Sequence, residues 1–246
     1  MFEPDTLPEI RPEDIVDNPF YVDEILRLAR VLADRTEGMK DTPKLRAVAM
    51  VRLAHEHIDA TVLRARQEFE KSENPIACKS GCAHCCYLAA DVHKSEADAI
   101  AGHLVATKTD AELDRIEDRL SDMVRDWRES DFNRDYYFMK RRRCAFLSPT
   151  DTCTIYEMRP LSCRAHHSMS AERCAGGSWS MIPKSRSLET ANIMIQSALS
   201  LAIQGYIGRP VIKNRSYHNI AMRVRASLRT VRSLSKANRI GGNDRA

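Results

Sequence analysis

Eight cysteines lie between positions 78 and 174 of a 246-residue chain, and four of them, Cys78, Cys82, Cys85 and Cys86, fall within nine positions that read CKSGCAHCC. Cys144, Cys153, Cys163 and Cys174 complete the set. Thiols this crowded are tied as disulfides, bound to a metal or buried as ordinary core, and compartment and spacing decide which. Core cysteines would scatter along the chain, yet none precedes 78 or follows 174. A disulfide framework needs an oxidising compartment, and the opening residues, MFEPDTLPEIRPEDIVDNPF, have neither the basic start nor the apolar centre of a secretory signal. Adjacent Cys85 and Cys86 also fit disulfide geometry poorly. The pattern predicts thiolate metal binding by all eight cysteines or a subset of them, in a cytoplasmic protein.

The flanks predict helices, so the expected fold is mostly α: a helical domain with a cysteine-rich loop and a small β-hairpin organised around a metal centre. Residues 1–75 read as an acidic segment followed by helices. Residues 76–175 read as the cysteine core with an inserted helical pair, and 176–246 as helices with a basic tail, all within one globular unit. The longest apolar stretch, about 191–207, is interrupted by Asn192, Gln196, Ser197, Ser200 and Gln204, which predicts a buried helix and no membrane span.

Thr42-Pro43 is a helix start, with Thr42 as cap and Pro43 where its missing N–H costs nothing. From there Val48, Val51, His55, Ile58, Val62, Ala65 and Phe69 recur at helical spacing. A second helix is expected from Ser95, capped by its hydroxyl with Asp98, and a third from Thr109 with Glu112 in the capping-box relation. The stripe Leu113, Ile116, Leu120, Met123 and Trp127 predicts the buried face of the third, the two forming an antiparallel pair. Two more helices are expected at 188–204 and 220–234, separated by the breaker GYIGRP, with a frayed tail IGGNDRA. Between them CAFLS and CTIY, joined by the turn-forming SPTDT, predict the hairpin at 144–163.

Metal identity stays open on spacing alone. Zinc takes tetrahedral thiolate sites with short spacers, and Cys78-x3-Cys82-x2-Cys85 with one distal cysteine equally supplies a [4Fe–4S] cluster. The same three-cysteine spacing occurs in radical S-adenosylmethionine enzymes, but the repeated strand–helix barrel that follows it there is missing from this pattern, and His84 stands where those enzymes usually carry an aromatic residue. Cys78, Cys82, Cys85 or Cys86, and Cys163 form the preferred ligand set, with Cys144, Cys153 and Cys174 completing it or forming a second site.

Read together, CKSGCAHCC and CAFLSPTDTCTIYEMRPLSCR resemble the YkgJ-like cysteine-cluster family of zinc- or iron-chelating domains. The resemblance rests on Cys78, Cys82, Cys85, Cys86, Cys144, Phe146, Leu147, Cys153, Ile155, Tyr156, Arg159, Pro160, Cys163 and Arg164. It covers about residues 76–175 and implies a metal-binding module. One branch similar in its cysteine motif, the flagellin lysine methylases, points towards an iron–sulfur protein in protein methylation, although this chain shows no glycine-rich nucleotide loop of the usual methyltransferase type.

Thiolates around a metal leave net negative charge that nearby cations must offset. Lys79, the run Lys140-Arg141-Arg142-Arg143, Arg159, Arg164 and Arg173 lie beside the cysteines in sequence, and Arg159 and Arg164 are the candidate cofactor-binding cations. His84, His166 and His167 are candidate ligands or hydrogen-bond partners of thiolates, while His55, on an apolar stripe, reads as a core histidine. Asp91, Asp151 and Glu157 lie near cysteines and read as solvated or arginine-paired.

The ends are oppositely charged. The first 24 residues hold eight acids against Arg11 alone, and no acid occurs between Glu189 and Asp244. Arg225, Arg229, Arg232 and Lys236 line one face of the last helix, which predicts a solvated face, a dock for the acidic N-terminal segment, or a surface for an acidic protein, a phosphate or nucleic acid. The leading functional expectation is an iron–sulfur protein, with the [4Fe–4S] cluster favoured slightly over zinc, acting in a redox or modification reaction. The alternative is a zinc-stabilised, non-catalytic interaction module.

Overall fold

Helical apolar stripes organise the chain around two cores. The computed structural model describes residues 18–38, 43–70, 75–79, 81–176, 186–205 and 217–243, and it is mostly α. The acidic residues 1–17, the cap Thr42, most of the GYIGRP breaker, the last three residues and the side chain of Lys236 lie outside the described residues.

Helix α1 (Pro19–Glu37) starts at Asn18, whose side chain accepts from the Phe20 amide at 3.0 Å, with Pro19 at the first helical position. Helix α2 (Pro43–Phe69) buries Val51, His55, Ile58 and Ala65 of the predicted stripe. A strand, β1 (Asp91–His93), leads into α3 (Lys94–Thr107), followed by α4 (Asp110–Glu129) and the short α5 (Arg134–Met139). Short helices α6 (Leu161–Ala165) and α7 (Ala171–Gly176) carry the last two cysteines, and α8 (Arg186–Gln204), β2 (Tyr217–Asn219) and α9 (Ile220–Asn243) complete the order.

The first core joins α1 and α2 to α8 and α6 through Ile25, Leu32, Ile58, Leu161 and Leu199. The second joins α3 and α4 to α9 through Ile100, Leu104, Leu120, Val224 and Leu228, and reaches Phe146 and Ile155 of the cysteine region. The blocks 1–75, 76–175 and 176–246 therefore interleave in space, because N-terminal helices pack on α8 and inserted helices on α9.

Glu96 fastens the cores together. Only 1% exposed, it accepts from the His93 amide through Oε2 and from the Leu161 amide through Oε1, both at 2.8 Å, and Oε1 lies 3.3 Å from His55 Nε2. A buried carboxylate is tolerated when both of its oxygens are hydrogen-bonded in this way.

Several expectations need correction. The α3 cap is His93, whose Nδ1 accepts from the Ser95 amide at 3.1 Å while Glu96 closes the box; Asp98 bonds Lys94 and Ser227 instead. Helices α3 and α4 each lie closest to α9, so they do not form a self-contained pair. The hairpin at 144–163 shrinks to one antiparallel bridge, Leu147 with Cys153, closed by Ser148 to Thr152 and Thr154 to Phe146 bonds. The strand pair is β1 with β2, antiparallel, Val92 opposite His218. Helix α9 continues through Ile240 to Asn243, into the expected frayed tail.

Candidate metal centre

The CKSGC loop turns through Gly81, whose φ of +82° is a left-handed conformation that glycine adopts without steric cost. A short 3₁₀ turn, His84–Tyr87, follows and carries Cys85 and Cys86. With about three residues per turn, adjacent side chains diverge by roughly 120°, so the two thiols leave the backbone in different directions. The loop is pinned on both sides. Arg66 donates to the Cys78 carbonyl at 2.9 Å, the Ala77 amide to Ser168 at 2.9 Å, and the Cys144 amide to the Cys86 carbonyl at 2.8 Å.

All eight cysteines are free thiols, and only Cys174 is fully buried. They fall into two neighbourhoods that share Cys85. Cys86, Cys144, Cys153 and Cys163 form one with Cys85, each shifted upward by burial or by sulfur neighbours in that group. Cys78, Cys82 and Cys174 form the other, and Cys174 packs with Cys85 and Leu88. The neighbouring Cys86 shifts Cys85 downward, aided by the Arg159 guanidinium and opposed by burial. Burial pushes Cys144 up to about 12 and Cys163 upward as well.

Backbone amides already point at sulfur. Ser168 N–H lies 3.3 Å from Cys78 Sγ, and the backbone at Phe146 and Ile155 favours the charged forms of the sulfurs two residues before them, on Cys144 and Cys153. The Ser168 hydroxyl, which donates to the Ser170 carbonyl at 3.1 Å, also favours the charged form of Cys174. Each such influence favours the thiolate over the thiol. Ser168 ties the two sides of one neighbourhood together, and its position, five residues after Cys163, gives no sequence signal for that role.

The cations divide sharply. Arg164 is consumed by structure, donating to Asp59 (2.5 Å), the Arg159 carbonyl (2.7 Å) and the Glu157 carbonyl (2.6 Å). Arg159 lies over the Tyr156 ring at 4.8 Å and favours the charged forms of Cys85, Cys153 and Cys163, while its buried Nε has no hydrogen-bond partner among the described residues. Of the two candidate arginines it is the one left free to act on the sulfurs. The 140–143 run is otherwise engaged: Lys140 pairs with Glu129, Arg142 with Asp126 and Arg143 with Asp151, while Arg141 stacks over Tyr87 and Phe138. Asp91 pairs with Arg134. The charge of Arg119 on α4 also favours the Cys144 thiolate, an influence with no sequence cue.

Of the histidines, His167 is 6% exposed and is pushed down to about 4, mainly by burial; its Nδ1 has no hydrogen-bond partner among the described residues. It is neutral and available as a nitrogen donor at physiological pH. On α9, Arg229 pairs with Glu117, and Arg232 lies between Asp114 (2.7 Å), Glu117 (3.3 Å) and Asp110 (3.7 Å). Two arginines of the expected partner face thus meet the acidic side of α4, a neighbour that the sequence reading did not consider.

In chemistry the residues fit a thiophilic metal: reduced thiols, amides aimed at sulfur and a buried arginine with an unused donor. In geometry they are gathered without being closed, because among the described residues no three cysteine, histidine or carboxylate side chains converge at the spacing one ion needs. The described helices include none long and apolar enough to cross a membrane.

No curated protein and no solved structure matches the chain. A family model does: CxxCxxCC, described as "Putative zinc- or iron-chelating domain", matches residues 77–187. That span contains all eight cysteines together with Arg159 and Ser168. Residues 77–187 thus match the model of a zinc- or iron-chelating cysteine-cluster family, and metal binding is the property to which that match points.

Proposed function

We propose that the centre holds iron as an iron–sulfur cluster and serves a redox or modification reaction in a reducing compartment, the cytoplasm. The observation that carries this reading is the gathering of the seven other cysteines about Cys85 in two neighbourhoods. A closed zinc site needs about four ligands, and the thiols here exceed that. Cys85, Cys86, Cys144, Cys153 and Cys163 are the ligand pool on one side, and Cys78, Cys82 and Cys174 on the other. Bound there, a cluster supplies one-electron transfer at a potential that hydrogen bonds to sulfur adjust. The amides of Phe146, Ile155 and Ser168 are the groups of this chain that make that adjustment. Arg159 offsets the negative charge of the thiolates.

The test is anaerobic purification of the full chain with iron, zinc and acid-labile sulfide counted per chain alongside the visible spectrum. About four irons with four sulfides, and a brown protein absorbing near 400 nm, are expected for a cubane. About one or two zincs without sulfide would overturn the cluster and leave a zinc-stabilised module. In that case the single bridge between Leu147 and Cys153 makes a structural role for the metal the natural reading.

A further inference from the structure

Beside the thiols lies a cleft of about 380 Å³, within the range of small-molecule sites. Five cations line it, Arg119 of α4 and the run 140–143, with one carboxylate, Asp122, and Cys144 in its wall. Most of this charge is matched nearby. Lys140 meets Glu129 at 2.6 Å, Arg142 meets Asp126 at 2.5 Å, Arg143 meets Asp151 at 2.9 Å, and Asp122 itself meets Arg125 at 2.6 Å.

Two guanidinium groups remain, Arg119 and Arg141, for which no carboxylate partner occurs among the described residues. Arg141 adopts φ +51°, a backbone region uncommon for a long side chain. It is held there by stacking over Tyr87 and Phe138, with 4.8 Å to each ring centroid. A side chain fixed in this way keeps its charge in place without the freedom of a solvated arginine. Strain of this kind clusters at ligand sites.

We propose that the cleft is an anion-binding entrance to the cysteine centre and takes a small phosphate-bearing molecule, its phosphate held between Arg119 and Arg141. Two unmatched guanidinium groups balance the charge of about −1.5 to −2 on a phosphate monoester at neutral pH, and the planar donor fork of arginine suits phosphate oxygens. Cys144 in the wall brings the body of the ligand to the thiols. That last role rests on the metal reading above; the anion site itself stands on the arginines.

The experiment is calorimetric titration of the full chain, as purified with its metal, with inorganic phosphate at constant ionic strength in chloride, and with malonate as a dicarboxylate of similar charge. Saturable binding of about one phosphate per chain, tighter than malonate, is expected. Arg119→Gln/Arg141→Gln should weaken it by on the order of tenfold or more, and Asp122→Asn, which also frees Arg125, should tighten it by roughly threefold. If the double variant fails to fold, Arg119→Gln alone, on the exposed side of α4, carries the same test.

Phosphate binding that ignores these substitutions, that never saturates, or that malonate equals would overturn the proposal. Metal counted on every sample separates the two readings. Arginine-dependent phosphate binding in a protein without metal refutes the metal centre and leaves the cleft, whereas full metal with no such binding refutes the cleft alone.

Discussion

In the helices from 94 to 129, buried positions such as Ile100, Leu104, Leu113, Leu120 and Met123 are apolar and recur at helical spacing, so each turn adds burial to the same face. The segments that carry the cysteines are fastened differently: by single amide bonds such as Cys144 to Cys86 and Ala77 to Ser168, a one-residue bridge at Leu147, and a 3₁₀ turn with no fully buried residue. Apolar area stabilises the first region without help. The second gathers polarisable thiols whose ionisation is costly when buried, and on the proposed reading a bound metal supplies there the closure that apolar area supplies in the frame.

The largest expected effects separate these two regions. Ile58→Ala, at a fully buried position of the first core, should cost about 2–5 kcal/mol in chemical denaturation and leave metal per chain unchanged. Cys85→Ser should do the reverse, removing most of the bound metal because both thiol neighbourhoods share that residue, while the far-ultraviolet helix signal persists. Hydrogen exchange on the Cys85 variant should rise in 75–90 and 144–175 and stay slow in α3 and α9. Full metal in Cys85→Ser, or metal loss in folded Ile58→Ala, would break the division between frame and loops.

A smaller effect lies where the two regions meet, at His93. Its Nδ1 accepts from the Ser95 amide, which requires the unprotonated nitrogen, and burial lowers its pKa more than Glu96 and Asp98 raise it, with Arg223 and Lys94 acting in the same direction as burial. The stabilisation is complete above the unfolded value of about 6.5. It is lost as pH falls through the lower folded value, because the unfolded chain takes up the proton first. The loss should approach the worth of a helix cap, about 1 kcal/mol. His57 and His167 are also shifted down and titrate with the same sign, so the measurement is the difference between wild type and His93→Asn across pH 7 to 5. Asn keeps a cap without a titrating group; identical pH profiles would remove His93 from this role.

Much of the frame was legible because its signals are local. Thr109 and Glu112 form the capping box expected of them, and Leu113, Ile116, Leu120, Met123 and Trp127 are all buried. The cap of α3 was misplaced because histidine is an unusual N-cap, although Glu96 three residues later was the available sign. The pairing of Asp91–His93 with Tyr217–Asn219 joins two three-residue strands far apart in sequence, where neither alternation nor a turn could announce it. At the centre, the eight cysteines and the family were legible in spacing. Which arginine faces them was not, since Arg159 and Arg164 differ only in where α6 begins: Arg164 lies inside that helix and turns to Asp59, and Arg159 lies before it. Likewise the 140–143 run reads as available for sulfur in sequence, but Asp126 and Glu129 of α4 take two of its charges.

The smallest test contrasts one glycine from each region. Gly81 in the CKSGC loop has φ +82°, and although nothing lies within 4 Å of a Cβ built there, the backbone itself disfavours a side chain. Gly81→Ala should destabilise the loop by about 1 kcal/mol. Gly102 sits inside α3 with equally open space around its Cβ position, at an exposed site. Gly102→Ala removes backbone freedom from the unfolded chain and should stabilise by about 0.5–1 kcal/mol. Both are read as shifts in denaturation midpoint, with metal per chain measured in parallel. Opposite signs, with metal affinity weakened only in Gly81→Ala, follow if the loop's shape is coupled to its metal and the frame's is not; a stabilising Gly81→Ala would mean that the loop does not hold the left-handed turn on which its cysteine spacing depends.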